Sequence, residues 1–219
     1  MRRITTQLTI WAVFLLLTVS LASCALPAKK IADGILIYNE GIGNFTLTAM
    51  EDAAMRKLND LRERPGEWAD YLAGLKHGPI MSRSNTEDTN DAILFLKKMN
   101  PRRPFTVSKG LCLAAAALVK DHGPKGLSGH RGSDGNNAFY RMNGYGLWDG
   151  KAGENLYYGH KDADRLIVAL LTEGGSQGLE QRNNIFSEDF HFIGIACGAH
   201  KVYNTMCVIN FAEKYTEMP

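Results

Sequence analysis

Hydrophobic positions change their spacing as the chain proceeds. From Thr48 they fall at helical intervals: Met55, Leu58 and Leu61 share a face, and Glu51-Asp52 suit a first turn. Pro65-Gly66 breaks that pattern, and a second segment over Glu67–Leu75 turns Trp68, Tyr71, Leu72 and Leu75 inward. A polar loop from His77 to Asn85 precedes a helix from Asp91 to Met99, where Ile93, Leu94 and Leu96 divide from Lys97-Lys98. Pro101 and Pro104 mark a rigid connection. Ser108 then reads as the N-cap of a helix over Lys109–His122 with the stripe Leu111, Ala115, Leu118 and Val119. His122 falls at that helix's C-terminal end, where a cation suits the dipole. A short helix over Asn136–Met142 and a longer one over Asp162–Glu173, with Leu166, Ile167, Leu170 and Leu171 inward, come next. Strand-like runs come late: Leu156-Tyr157-Tyr158, then Phe192–Cys197 and Met206–Phe211 around a polar turn. Helices, then mixed elements, then a terminal hairpin predict an α+β fold, a small and largely antiparallel sheet covered by helices.

The N-terminus follows a different logic. Arg2-Arg3 precedes an apolar run from Leu8 to Leu21, and small residues follow at Ala22, Ser23 and Ala25. This is the pattern of an export signal, too short for a comfortable membrane span. Two readings stay open: a lipobox at Leu21-Ala22-Ser23-Cys24 with Cys24 lipidated, or ordinary cleavage after Ser23-Cys24-Ala25. Membrane association is expected only through such an anchor at Cys24. Residues 26–46 read as a linker with one short strand at Ile35–Tyr38, residues 47–213 as the domain and 214–219 as a tail. Asn44-Phe45-Thr46 is a glycosylation sequon, meaningful only in a eukaryotic secretory pathway.

At 219 residues the chain suits one well-buried domain, and its net charge of +2 gives no basic footprint for nucleic acid. Export makes the cysteines candidates for oxidation. Cys197 and Cys207 lie at matched positions of the terminal hairpin, within reach of a disulfide. Cys112, in an alanine-rich helix, reads as a buried free thiol.

Candidate chemistry gathers between Gly129 and Gly159. His130 sits in a loop rich in Gly, Ser and Asp, and Glu154 follows in Gly153-Glu154-Asn155-Leu156. Imidazole and carboxylate together serve proton transfer or a divalent metal. No nucleophile stands out: Ser128 and Ser133 flank the loop without a Gly-x-Ser-x-Gly elbow.

Gly129-His130-Arg131-Gly132-Ser133-Asp134-Gly135, Gly153-Glu154-Asn155-Leu156, Asn183-Asn184-Ile185-Phe186, Gly194-Ile195-Ala196-Cys197-Gly198 and Met206-Cys207-Val208-Ile209 occur in that order. Together they resemble the CAP superfamily (cysteine-rich secretory proteins, antigen 5, pathogenesis-related proteins), or SCP domain, over roughly Met50 to Ala212. The resemblance implies an α-β-α sandwich with a central cleft lined by two histidines and two acidic residues. It places the first histidine on His130 and the acidic pair on Glu154 and Glu173. Alignment on Arg182-Asn183-Asn184-Ile185-Phe186 puts Gln181 where the second histidine belongs. A Gln carbonyl is a poor zinc ligand, so a divalent metal held through His130 alone is expected to bind weakly. His160 lies too far along the chain to stand in, His191 is expected at a core edge, and His200 is expected in solvent at the hairpin turn.

Three functions fit. The first is an exported, non-catalytic binding module for a lipid, sterol or extracellular protein, with a degenerate His/Glu cleft at His130, Glu154 and Glu173 and no required cofactor. The second is a metal-assisted hydrolase or peptidase in which Glu154 or Glu173 activates water and His130 acts as acid or orienter. In the third, the same residues pin the loops to the sheet, Glu154 accepting backbone N–H bonds and His130 donating to Glu154 or Glu173.

Overall fold

Thr48 opens the first helix with a capping box. Its Oγ1 accepts from the Glu51 N–H at 3.3 Å, and Glu51 Oε2 accepts from the Thr48 N–H at 2.8 Å. This computed structural model describes residues 45–75 and 86–218. The expected signal with Cys24, the strand at Ile35–Tyr38, the sequon at Asn44 and the loop His77–Asn85 lie outside them.

Among the described residues the chain forms α1 (Ala49–Glu63), α2 (Pro65–Leu75), α3 (Thr86–Lys98), β1 (Thr106–Val107), α4 (Lys109–Lys125) and α5 (Ala138–Asn143). It continues through β2 (Gly146–Gly159), α6 (Ala163–Thr172), α7 (Gly175–Phe186), β3 (Phe192–His200) and β4 (Asn204–Glu217). Several boundaries depart from the expected ones. Pro65 begins α2 rather than ending α1, because its fixed φ and missing N–H suit a first helical turn. α3 starts at Thr86, ahead of Asp91. α4 runs past His122 to Lys125 and stops at Gly126, which takes the left-handed conformation at φ 69°. β4 continues to Glu217 and pairs with Gly146–Asp149, so residues 214–217 are sheet and not tail.

The sheet has the order β1-β3-β4-β2, with β1 parallel to β3 and the other pairs antiparallel. It is buried on both faces, as the unbroken buried run from Thr205 to Ala212 shows. Alternation sends Ile193, Ile195, Ile209 and Phe211 into one core with α1, α2, α3, α6 and α7. Ala196, Met206, Val208 and Leu156 go into another beneath α4, and α5 covers Ala212 and Tyr215 beside it. The result is an α-β-α sandwich. Each large apolar side chain fully buried here, such as Phe211, stabilises the fold by roughly 1.5–3 kcal/mol. Gly194 lets α4 lie directly on β3: a Cβ there would collide with the backbone of Leu111 and Cys112.

Cys197 and Cys207 oppose each other in the hairpin register, with Cα atoms 4.1 Å apart, and form a disulfide. Cys112 is a buried free thiol, and burial pushes its pKa up to about 12.

Two polar clasps close the sandwich. Arg62 on α1 is buried, and its guanidinium donates to the carbonyls of Arg103 at 2.7 Å, Ile185 at 2.5 Å and Ser187 at 3.1 Å. It also lies 3.9 Å over the Phe105 ring, and burial followed by the nearby Arg102 charge lowers its pKa to about 10. At the other end, Glu217 of β4 accepts from Ser108 Oγ and from the Gly110 N–H, each at 2.7 Å. That places a carboxylate on the N-terminus of α4, where the helix dipole favours it.

Candidate functional site

β2 is an edge strand, and the candidate site wraps around its open edge. Glu154 and Leu156 point to the α4–α5 side, whereas Asn155 and Tyr157 point to the α6–α7 side, as strand alternation requires. The loop between α4 and α5 brings His130 to the first side, and α7 brings Gln181 to the second. His130, Glu154 and Gln181 thereby line one cleft of about 260 Å³, together with Asn137, Phe139, Gln177, Glu180 and Asn184.

Both oxygens of Glu154 have partners. Its Oε1 lies 2.8 Å from His130 Nδ1 and its Oε2 lies 2.5 Å from Arg141 Nη2. Side-chain exposure is 3 % for Glu154 and 9 % for Arg141, so this is a buried ion pair, whereas His130 stays half exposed. An ionised carboxylate can only accept, so in this pairing Nδ1 carries the shared proton. Arg141 also donates to the carbonyls of His130 at 3.0 Å and Asn136 at 3.3 Å, tying the loop to α5. α5 itself is started by Asn137, whose side chain accepts from the Tyr140 N–H at 3.0 Å.

The loop is also pinned from below. His122 Nε2 donates to the Arg131 carbonyl at 2.8 Å, His200 Nε2 donates to the Leu127 carbonyl at 2.8 Å, and the Gly129 N–H donates to Tyr158 Oη at 3.0 Å. His200 was expected in solvent; it is 3 % exposed, and its Nδ1 accepts from the Val202 and Tyr203 N–H groups that close the hairpin turn. His191 is the converse. It lies one residue before β3 and is exposed, not at a core edge. Asp121 stabilises the loop's far end: Lys125 and then Ser133 hold its carboxyl far below the usual carboxylate range.

On the α7 side, Gln181 Nε2 donates to Glu173 Oε2. Glu173 caps the C-terminus of α6 and does not line the cleft, which it touches only through Gln181. It is exposed by surface area, yet the protein packed around its carboxyl raises its pKa, an effect that the Gln181 bond opposes. Gly178 makes this approach feasible, because any Cβ there would strike the Glu173 carbonyl. The Gln181 main-chain carbonyl accepts from the Asn155 side chain at 3.0 Å, and Asn155 Oδ1 in turn accepts from Asn184 at 2.8 Å, so α7 is bolted to β2.

Zinc does not fit this donor set. It would find one imidazole, a carboxylate already held by Arg141 and an amide in place of the second imidazole. Among the described residues no three His, Cys, Asp or Glu side chains gather as a metal group.

Sequence reading missed Arg141, Phe139, Gln177, Glu180 and Asn184, and α7 as a helix. The helix had left a trace. Gly178, Gln181, Arg182, Ile185 and Phe186 form its buried stripe at helical spacing, obscured by two polar members and a glycine-rich start. Arg141 left none, since nothing local indicates that it folds back onto Glu154.

A family model described as the cysteine-rich secretory protein family, CAP, matches residues 55–211. Among solved structures, an extracellular SCP-domain protein of Bacillus anthracis is similar at 19 % identity and a TM-score of 0.45, over 75 % of this chain and 41 % of that one. An outer surface protein of Borrelia burgdorferi aligns at 16 % identity and a TM-score of 0.43, over 70 % of this chain and 94 % of that one. A cysteine-rich secretory protein of Staphylococcus aureus aligns at 12 % identity and a TM-score of 0.41, over 78 % and 42 % of the two chains. The match thus spans about two fifths of the length of the Bacillus and Staphylococcus chains. No curated protein matches it. The family match covers both halves of the cleft and the hairpin that carries the disulfide, and the chain belongs to the CAP family.

Proposed function

We propose that this chain is an exported CAP-domain binding module whose cleft holds a ligand without transforming it. One observation carries the reading: both carboxylates at the family's acidic positions are already committed, Glu154 to His130 and Arg141, and Glu173 to Gln181. A carboxylate held in its ionised form by a guanidinium is a weaker base, and a metal favours ligands that are not already neutralised. Attachment at the cell surface through Cys24 is part of the same proposal. No helix among the described residues is long and apolar enough to cross a membrane.

The test is calorimetric titration of zinc into the wild type and Gln181→His. The wild type is expected to give a flat isotherm, and the variant, with a second imidazole beside Glu173, to bind. Saturable binding by the wild type would overturn the reading and return hydrolysis to first place. Silence in both would move the second histidine position away from Gln181.

A further inference from the structure

The cleft's own chemistry narrows the ligand. Its walls carry side-chain amides from Asn137, Gln177, Gln181 and Asn184, carboxyls from Glu154 and Glu180, and the ring of Phe139. An amide presents donors and an acceptor together, which matches a hydroxyl that both donates and accepts. Gln181 lines the cleft, is 4 % exposed, and its shielded Oε1 has no partner within the protein. Glu154, the most deeply set charge, is neutralised by Arg141. Phe139 is 41 % exposed and its ring is braced by Trp148, with centroids 5.5 Å apart. An exposed aromatic face carries partial negative charge and attracts C–H groups of slight positive character.

We propose that this cleft is a subsite for one ring of a neutral oligosaccharide, with Phe139 stacking on the sugar face and the amides reading its hydroxyl or acetamido groups. The assignment rests on the binding-module reading above and gives it a ligand class. Size agrees: about 260 Å³ falls below the ~300–1,000 Å³ of drug-sized ligand sites, too little for a sterol. A second cleft of about 490 Å³ also borders α5, with Tyr140, Tyr145, Ser133, Asp121 and Asn136 on its walls. A peptide is the rival ligand, since β2 is an edge strand. An added strand needs a clear run of edge. Here α5 with Phe139 stands on one face of β2 and α7 with Gln177, Glu180 and Gln181 on the other, so the cleft presents side chains to a ligand more than bare strand edge.

The experiment is calorimetry on the full chain with tetra-N-acetylchitotetraose, cellotetraose and a capped decapeptide of alternating Ala and Gly. Phe139→Ala and Gln177→Ala are run beside the wild type, each checked by circular dichroism and melting temperature. Saturable binding of one tetrasaccharide, weakened about tenfold or more by Phe139→Ala, is the expected result, tenfold being ~1.4 kcal/mol. Gln177→Ala is expected to weaken it less. No heat from either sugar at millimolar concentration would overturn the assignment, and so would binding indifferent to Phe139→Ala in a folded variant. Peptide binding that is lost in Phe139→Ala, without sugar binding, would replace the sugar with a peptide. Cleavage of a bound tetrasaccharide would uphold the sugar class and sink the non-catalytic reading, so the two claims fail separately.

Discussion

Arg141 shows how a single residue decides what the cleft can do. Its guanidinium holds Glu154 Oε2 and two loop carbonyls at once, converting a candidate base into half of a buried ion pair. Removing one partner of such a pair leaves the other charge buried and uncompensated. Arg141→Ala is therefore expected to destabilise the fold by about 3 kcal/mol, read from the midpoint of urea denaturation. Arg141→Lys retains the charge but not the fork, and should recover only part of the loss. A denaturation midpoint unchanged in Arg141→Ala would show that the pair contributes nothing. The chemistry at His130 and Glu154 was legible because a glycine-rich loop and a short motif announce themselves locally. Their bond to each other was one of two pairings open in the sequence, His130 to Glu154 or to Glu173. Its third member was not legible, because the contact between Arg141 and Glu154 is made by folding and not by spacing.

At the scale of elements, propensity and capping account for what was read and what was missed. Thr48, Ser108 and Asp162 are all N-caps, and each was signalled by a polar residue ahead of an apolar stripe. α7 lacks that signal. Its N-cap is Gly174 with no side-chain bond, and tertiary packing against α6 and β2 supplies its stability instead. β2 was expected as three residues and is a long strand, because its polar half pairs with β4 at the sheet edge, where burial leaves no alternating pattern. The start of α4 carries a prediction of its own. Glu217 supplies two short bonds there, to Ser108 and Gly110. Glu217→Ala should cost about 2 kcal/mol, within the range for lost caps and charge-assisted hydrogen bonds. Faster hydrogen exchange confined to the first turn of α4 is the accompanying sign. Unchanged exchange there would show that Ser108 caps the helix alone.

For the molecule as a whole, the hairpin disulfide ties together the two strands on which the sheet depends. In the chain-entropy account, closing a loop of this length stabilises the fold by about 3 kcal/mol. For a domain of this size that is a shift in melting temperature of roughly 6–12 °C. Paired Cys197→Ser and Cys207→Ser substitutions should lower it accordingly. Thiol titration of the denatured, unreduced protein should find Cys197 and Cys207 blocked and Cys112 free. Equal melting temperatures for wild type and double variant would leave the bridge without a stabilising role.

The strand order has a further consequence for how the chain comes to be folded. Among the described residues β2 touches the sheet only through β4, and β1 only through β3. Each joint of the sheet waits for residues 192–217, which a ribosome makes last among the strands. Until they emerge, the earlier segments can coil into helices but have no strand to pair with, and loop closure over such distances is slow. The topology delays commitment to the native state until the last strands have been made.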